Sequence, residues 1–269
     1  MTADSNTLLE LRNISLYERS DSLLSLFRKT IVIDSLSFKL GENESLGIVG
    51  DENSGKDVLI NVLAGITNPS KGEIYYFDRL IKDNIDARKL NIRLLFNNTN
   101  NALNPKMIVR DLLQVPLKLN VDMSDEERQN QVDEILKLVD LTPDIAYKFP
   151  TTLSIGQRKR VALARALILN PRILLANKTM SSFDPLMRTY ICSLFAKLKK
   201  ERQISTIIST SDLDILSRTC DKLLVMHQGK MVEYGAADEI MNRSTNEITR
   251  KLIANYRNEY RFKLSQLIS

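Results

Sequence analysis

Short apolar runs alternate along the chain with longer stretches of helical periodicity. Apolar and polar residues alternate in 8–16 and 31–40, which predicts two half-buried strands, and the stretch 17–30 between them is predicted as an extended loop. Residues 46–50 form a continuous apolar run, typical of a strand buried on both faces of a parallel sheet. Further strands are predicted at 72–77, 91–96, 173–176, 204–209, 223–226 and, after a hairpin turn at 228–229, 231–233.

Helical patterns lie between these strands. A glycine-bearing turn after the 46–50 strand leads into a helix at 56–64, and the block 109–141 is mostly helical. Ser124 and Glu127 predict a capping box at the start of the longest helix of that block. One apolar face of this helix is predicted to contain Ile135, Leu136, Leu138 and Val139. With a further helix at 157–169, the alternation of strands and helices indicates an α/β protein.

The composition fits one large domain with a helical insert. The chain has 269 residues, of which 43% are hydrophobic and 26% charged, enough for a proper core and a soluble surface. Two cysteines, Cys192 and Cys220, cannot build a disulfide framework, so a reduced cytosolic compartment is expected. The single histidine, His227, excludes zinc sites that need a histidine cluster. Neither a signal peptide nor a membrane-spanning segment is predicted.

The net charge leaves the partner open. A surplus of +5 and a pI of about 9.1 are compatible with nucleic acid, an anionic membrane surface or an ordinary solvated basic face. The positive charges are spread along the chain, and the densest group lies on a predicted terminal helix at 250–263. Charge alone therefore identifies no binding partner.

A phosphate-loop motif lies directly after the apolar strand at 46–50. The pattern G-x-x-x-x-G-K is formed by Gly50, Asp51, Glu52, Asn53, Ser54, Gly55 and Lys56. In this context, backbone N–H groups and the N-terminus of the helix bind phosphate oxygens, and the lysine reaches the outer phosphates. The next position usually carries a serine or threonine that ligates Mg²⁺, but here it is Asp57. A carboxylate can meet a hard cation, whereas without one it repels phosphate. The alternative is a glycine-rich turn that binds no ligand.

A second motif lies about 100 residues farther on. It consists of Leu153, Ser154, Ile155, Gly156 and Gln157, and a basic helix follows at 158–167. This segment closely resembles the signature motif of ABC-transporter ATPases, usually LSGGQ. Other segments also resemble this family, in its peptide-importer branch. Residues 96–98 with 103–105 resemble the Q-loop region, and residues 170–176 resemble the strand before the catalytic acids. Residues 225–233 resemble a late hairpin of that branch. The resemblance covers roughly residues 8–256.

The resemblance implies a fold and a division of the chain. The fold is a RecA-like P-loop NTPase core with the antiparallel β-subdomain of ABC proteins and a helical signature subdomain. A single nucleotide-binding domain is expected at 1–245, with the helical subdomain at about 97–165 and a basic helical extension at 246–269.

The resemblance also implies how such subunits work. Two of them sandwich two ATP molecules, each between the phosphate loop of one subunit and the signature of the other, and drive a membrane permease. Ser154 and Gly156 would therefore address the γ-phosphate bound by the partner, and Asp184 matches the D-loop aspartate. Tyr17 is the candidate for stacking on adenine, with an ordinary strand-end tyrosine as the alternative.

Several catalytic positions of the family carry other residues in this chain. Asn177 replaces the aspartate that supports Mg²⁺, Lys178 the catalytic glutamate and Asn97 the Q-loop glutamine. Ser211 stands where the switch histidine is expected, although a shift of one residue would put Asp212 there. A protonated lysine cannot accept a proton from water, so this chain's own site is expected not to hydrolyse ATP usefully.

Two hypotheses describe the altered site. In the first, Lys178 supplies part of the charge of Mg²⁺, and ATP binds with weak metal dependence. In the second, Asp57 and Lys178 pair with each other across an empty loop, and no nucleotide binds. Asp57 and Asn177 are the weak candidates for holding a metal.

The predicted function is that of an ATP-binding subunit of a peptide import system. It would be peripheral on the cytoplasmic face of the cell membrane, pair with a second, different ATPase subunit more readily than with itself, and complete the partner's site through its signature. The alternatives are a catalytically dead scaffold subunit and a soluble ABC-type factor acting on nucleic acid or translation. Nucleic acid is not the expected partner, because such factors usually carry two cassettes or long coiled-coil insertions.

Overall fold

The computed structural model describes residues 6–19, 29–81, 91–95, 103–177 and 185–268. The strands are β1 Thr7–Arg19, β2 Lys29–Gly41, β3 Ser45–Gly50, β4 Lys71–Tyr76, β5 Arg79–Ile81, β6 Ile92–Leu95, β7 Ile173–Asn177, β8 Ser205–Ser209, β9 Lys222–His227 and β10 Lys230–Ala236. The α-helices are α1 Lys56–Leu63, α2 Val109–Asn120, α3 Asp125–Leu138, α4 Ile155–Leu167, α5 Pro185–Arg202, α6 Leu213–Thr219, α7 Ala237–Arg243 and α8 Glu247–Ile268. Two short 3₁₀ helices, Pro143–Tyr147 and Pro150–Thr152, lie between α3 and α4.

The strands form two sheets. In the six-stranded sheet the order is β10-β9-β3-β8-β7-β6, with all strands parallel except β10, which pairs antiparallel with β9. The central strand β3 is buried along its whole length, as its continuous apolar run predicts. The second sheet, of order β2-β1-β4-β5, is antiparallel. The predicted fold class, an α/β P-loop core with an antiparallel β-subdomain and a helical subdomain, is confirmed.

The loop predicted at 17–30 is wrong at both ends. Strand β1 continues to Arg19 and β2 begins at Lys29, with Tyr17 opposite Ile31. The apolar alternation fades after Leu16, but backbone pairing between the two strands continues, and pairing leaves no signal in a single sequence. Residues 20–28 lie outside the described part of the chain. The short strand β5 was not predicted.

Helices α2, α3 and α4 lie in residues 109–167, which we call the helical segment. Its structure depends on helix capping and on one apolar face. The capping box of α3 is confirmed, since Glu127 N–H donates to Ser124 Oγ (3.2 Å) and Ser124 N–H donates to the Glu127 carboxylate (2.7 Å). The predicted apolar face of α3 is buried in a core that also takes residues from α2, α4 and the parallel sheet. This core therefore fixes the start of α4 relative to the sheet.

A second core lies between the antiparallel sheet, helix α1 and the opposite face of the parallel sheet. Helix α1, which begins in the phosphate-loop motif, is thereby held from two sides. Among the described residues, no helix has the length and hydropathy needed to cross a membrane.

Candidate nucleotide site and signature helix

The phosphate loop connects the buried strand β3 to helix α1 in a backbone shape that needs glycine. Gly55 has a positive φ of 88°, and a Cβ on it would lie 2.7 Å from the carbonyl oxygen of Val32 in β2. A Cβ on Gly50 would collide with the carbonyl oxygen of Met226 in β9. The two glycines of the motif therefore allow the loop to lie directly against the strands on either side.

The loop lysine points back into the loop. Lys56 is only 3% exposed, and its ammonium donates to the carbonyl oxygen of Asp51 (2.7 Å). No side chain caps the N-terminus of α1, so its first N–H groups remain directed at the loop. Ser54 Oγ is buried and makes no hydrogen bond within the described part of the chain. A buried cation, an uncapped helix N-terminus and a buried hydroxyl together fit a phosphate group.

The hairpin between β9 and β10 holds the loop from outside, a feature that sequence reasoning missed. His227 Nδ1 lies 2.9 Å from Asp51 Oδ2, and Gly229 N–H donates to the Ser54 carbonyl (3.0 Å). The Gly229 carbonyl in turn accepts from the N–H of Asp34 in β2 (2.9 Å). The one histidine of the chain thus contacts the first variable residue of the phosphate loop. The sequence placed it only in a hairpin, and nothing in the pattern pointed to Asp51.

The residues at the predicted metal positions, Asp57 and Asn177, are one carboxylate and one amide. Asp57 lies in the first turn of α1, which packs against β7, and β7 ends in Asn177. The amide oxygen of Asn177 and the hydroxyl of Ser209, which are opposite each other in the sheet, are buried without a hydrogen-bond partner among the described residues. The described part of the chain contains no group of three or more His, Cys, Asp or Glu that could hold a metal ion. One carboxylate and one amide fit Mg²⁺ less well than two carboxylates would.

Ser211 and Asp212 have different surroundings. Ser211 is exposed and lines a cavity of about 520 Å³ together with Gly50, Asp51 and His227. Asp212 is buried and caps α6, with Ile215 N–H donating to its Oδ1 (3.3 Å). Of the two candidates for the switch position, Ser211 is therefore the one that shares a cavity with Gly50 and Asp51 of the phosphate loop.

Tyr17 lies at the far end of the β1–β2 ladder. It pairs with Ile31, the neighbour of Val32, whose carbonyl oxygen approaches Gly55. Its N–H donates to Ser70 Oγ (3.1 Å), and the Lys71 ammonium lies 5.8 Å from the centre of its ring. The antiparallel sheet thus places Tyr17 opposite Ile31, one residue before Val32, and the role of Tyr17 towards adenine stays a prediction.

The signature residues form the exposed N-terminus of α4. Ser154 is the N-cap, with Gln157 N–H donating to its hydroxyl oxygen (3.2 Å) and its own N–H donating to Gln157 Oε1 (3.0 Å). Leu153 is buried and anchors the turn, whereas Ile155 is 64% exposed. Because the Ser154 oxygen accepts the cap bond, its hydroxyl proton remains available to an anion in front of the helix. Gly156 lies in the first turn beside it.

Three of the predicted site residues, Asn97, Lys178 and Asp184, lie outside the described part of the chain. The structure brings together the phosphate loop, Ser211 and His227, and it places the signature residues on the separate helical segment. That arrangement can bind phosphate at one place and present a hydroxyl and a helix N-terminus at another.

The model of the ABC transporter family matches residues 33–180. The chain belongs to the ABC transporter family. The matched range begins in β2 and includes both the phosphate loop and the signature helix. Membership implies ATP as the ligand, usually with Mg²⁺.

Curated relatives in this family align over nearly the whole chain. The peptide transport system ATP-binding protein SapF of Salmonella typhimurium is 36% identical over 253 residues, covering 93% of this chain and 94% of the relative. SapF of Escherichia coli K12, named as a putrescine export system ATP-binding protein, shows the same identity and coverage. The dipeptide transport ATP-binding protein DppF of the same strain is 32% identical, over 82% of this chain and 68% of the relative.

Solved ABC structures have the same fold. The ATP-binding cassette MJ0796, in a dimeric post-hydrolysis state with ADP and Pi, superposes with a TM-score of 0.75 at 25% identity, covering 86% of this chain and 99% of that one. The protein cbiO1 of Clostridium perfringens, part of the transporter complex cbiONQ, gives a TM-score of 0.77 at 25% identity, with 98% and 99% coverage.

Proposed function

We propose that this chain is the ATP-binding subunit of a peptide transporter, that its own site binds ATP without useful hydrolysis, and that its signature helix completes the site of a second, catalytic subunit. It docks on the permease as a peripheral protein at the cytoplasmic face of the membrane. The observation that supports the proposal is the contrast between a capped signature helix and three sequence positions, Asn177, Lys178 and Ser211, that offer neither a carboxylate nor an imidazole.

The phosphate site can bind but is poorly equipped to react. Lys56, the uncapped N-terminus of α1 and the buried Ser54 hydroxyl supply donors for phosphate oxygens. The resemblance to ABC ATPases predicts an aspartate, a glutamate and a histidine at three positions of this site. The chain has Asn177, Lys178 and Ser211 there. None of the three replacements accepts a proton from water at neutral pH, so orders of magnitude in rate are expected to be lost.

The signature helix α4 has the donor groups that the proposed role requires. The capping box of α4 holds Ser154 in one orientation, and the exposed residues Ser154 and Ile155 leave room for a second molecule. The N-terminal N–H groups and the free hydroxyl proton of Ser154 match the γ-phosphate of an ATP held by another subunit.

Nucleotide binding is tested by calorimetric titration of the purified chain with ATP, with and without Mg²⁺. We expect heat of binding in both conditions and little dependence on Mg²⁺, because the donor set for the metal is poor and Lys178 supplies positive charge. Lys56→Ala serves as the control and should abolish the heat. An absence of heat and of a thermal shift in both conditions would support the second hypothesis, an empty loop closed by Asp57 and Lys178.

The signature role is tested by turnover in a mixture with the cognate ATPase subunit. The chain alone should show negligible ATPase activity, whereas the mixture should turn over ATP, and Ser154→Arg should abolish that turnover because the arginine fills the space in front of α4. Ser124→Arg is the matched control, since Ser124 is the N-cap of an equivalent capping box on α3 in the same subdomain. If Ser154→Arg leaves turnover at the level of Ser124→Arg, the complementation proposal is wrong and a scaffold role remains.

Peptide as the transported substrate is supported by the names of several relatives, SapF of Salmonella typhimurium and DppF of Escherichia coli among them. The equally similar SapF named for putrescine export provides the competing substrate. Transport assays on the assembled system with labelled peptides and labelled putrescine decide between the two. Import of peptide is the expected result.

A further inference from the structure

The C-terminal helix α8 contributes one face to the cavity beside the phosphate loop. The residues on this face are Ile248, Lys251, Leu252, Asn255 and Tyr256, which follow the i, i+3, i+4, i+7, i+8 spacing of a single helical stripe. The opposite wall of the cavity includes Gly50, Asp51 and Ser211. Helix α8 and the first residues of the phosphate loop therefore line the same cavity, which has a volume of about 520 Å³.

Tyr256 makes the polar contact between α8 and the loop that contains Ser211. Its hydroxyl donates to Asp212 Oδ1 (2.7 Å) and accepts from the N–H of Asp214 (3.3 Å). Burial, together with the hydrogen bond to Asp212, raises the pKa of Tyr256 above its ordinary value. The phenol therefore stays a neutral donor throughout the physiological range.

Asp212 is the point where three helices meet. One carboxylate oxygen binds Tyr256 of α8 and caps α6 through the N–H of Ile215, while the other pairs with Arg188 of α5 (2.6 Å). The aspartate is buried, so a misplaced carboxylate there would be costly. Its orientation is therefore set by Tyr256, Arg188 and the N–H of Ile215 together.

Ser211 lies between two residues that are fixed. On one side, Thr210 is tied to β3 because its N–H donates to the Ile48 carbonyl (3.3 Å). On the other side, Asp212 N–H donates to Thr210 Oγ1 (3.1 Å), and the Asp212 side chain is held by α8. With both neighbours fixed, the direction of Ser211 into the cavity depends on how Asp212 is placed.

We infer that Tyr256 is a positioning residue that, through Asp212, holds Ser211 towards the phosphate loop, so that the C-terminal helix controls recognition of the terminal phosphate of a nucleoside triphosphate. The inference rests on the proposed function of the phosphate loop. It extends that function by making α8 part of the nucleotide site, although the helix lies outside the residues that match the family model.

The first test is hydrogen–deuterium exchange of the nucleotide-free, full-length chain with Tyr256→Phe. Exchange in the segment 210–216 should become about threefold faster or more, because the Asp214 N–H loses its acceptor and Asp212 loses a donor. Tyr234→Phe is the matched control, since Tyr234 donates a comparable hydrogen bond to the Lys39 carbonyl in another part of the molecule. Exchange in 210–216 that does not differ between the two variants overturns the inference.

The second test compares ATP with ADP in the same variants by calorimetry. Tyr256→Phe should weaken ATP binding about fivefold, the equivalent of one neutral hydrogen bond, and leave ADP binding unchanged. Equal weakening of both nucleotides would indicate a merely structural role and overturn the inference. If the unmodified chain binds neither nucleotide, the proposed function fails, while the exchange experiment still decides whether Tyr256 positions the loop.

Discussion

At the scale of single residues, the phosphate loop owes its shape to close contacts that only glycine allows. Gly55 lies in the left-handed region and directly under the Val32 carbonyl, while Gly229 supplies the N–H that binds the Ser54 carbonyl. Lys56 is buried inside this frame. The loop therefore depends on β2 and the β9–β10 hairpin as much as on its own sequence.

Replacing Gly55 with alanine should damage both stability and binding. The left-handed conformation alone costs about 1–2 kcal/mol for alanine, and the contact at 2.7 Å with the Val32 carbonyl adds to it. We expect the free energy of unfolding in urea to fall by at least this amount and ATP binding to be lost.

Gly235→Ala provides the control for this prediction. Gly235 has an ordinary φ, and a Cβ there would meet only Ile240 Cδ1, at 3.9 Å. Its stability should stay close to that of the unmodified chain. A Gly55→Ala variant as stable as Gly235→Ala would show that the loop is not constrained as described.

At the scale of elements, two capping boxes of the same kind begin helices with different roles. On α3 the box of Ser124 and Glu127 starts a helix whose apolar face fills the core of the helical segment. On α4 the box of Ser154 and Gln157 starts a helix whose N-cap, Ser154, and first residue, Ile155, stay exposed. The core under α3 and α4 therefore supports the signature turn through Leu153, while Ser154 and Ile155 stay exposed.

That core should be sensitive to a single truncation. Leu136 on α3 is fully buried (0% exposed), so Leu136→Ala should lower the free energy of unfolding by about 2–5 kcal/mol. Leu119 on α2 is 77% exposed, and Leu119→Ala should change it by less than about 0.5 kcal/mol. Similar denaturation midpoints for the two variants would contradict the packing described for the helical segment.

The sequence predicted the elements whose signal is local and missed those that depend on pairing. The buried strand β3, the capping box of α3 and the hairpin turn follow from residue type and spacing. The ends of β1 and β2 do not, because Tyr17 and Thr30 join the sheet through backbone pairing alone.

The candidate site divides in the same way. The phosphate loop and the signature are contiguous motifs, and both can be located from the sequence. The contacts of His227 with Asp51 and of Tyr256 with Asp212 join residues 176 and 44 positions apart. Neither residue type is unusual where it stands, so no pattern in a single sequence could have paired them.

At the scale of the whole molecule, the two functional surfaces are unequal. The parallel sheet carries the predicted phosphate loop, with neither a carboxylate nor an imidazole at the described residues Asn177 and Ser211, while the helical segment presents a capped signature turn that departs from the family pattern at Ile155. Under the proposed function, a homodimer would combine two sites of poor hydrolytic activity, whereas a heterodimer would combine this signature with a competent phosphate loop. The proposed assembly is therefore asymmetric, with hydrolysis confined to the partner's site.

The central claim is tested most directly by locating the hydrolysed nucleotide in the assembled transporter. Vanadate trapping with a photoreactive, radiolabelled ATP marks the subunit whose phosphate loop holds the trapped product. The account predicts label on the partner subunit alone, and its loss when this chain carries Ser154→Arg. Vanadate-dependent label on this chain would show that its own site hydrolyses ATP and would contradict the account.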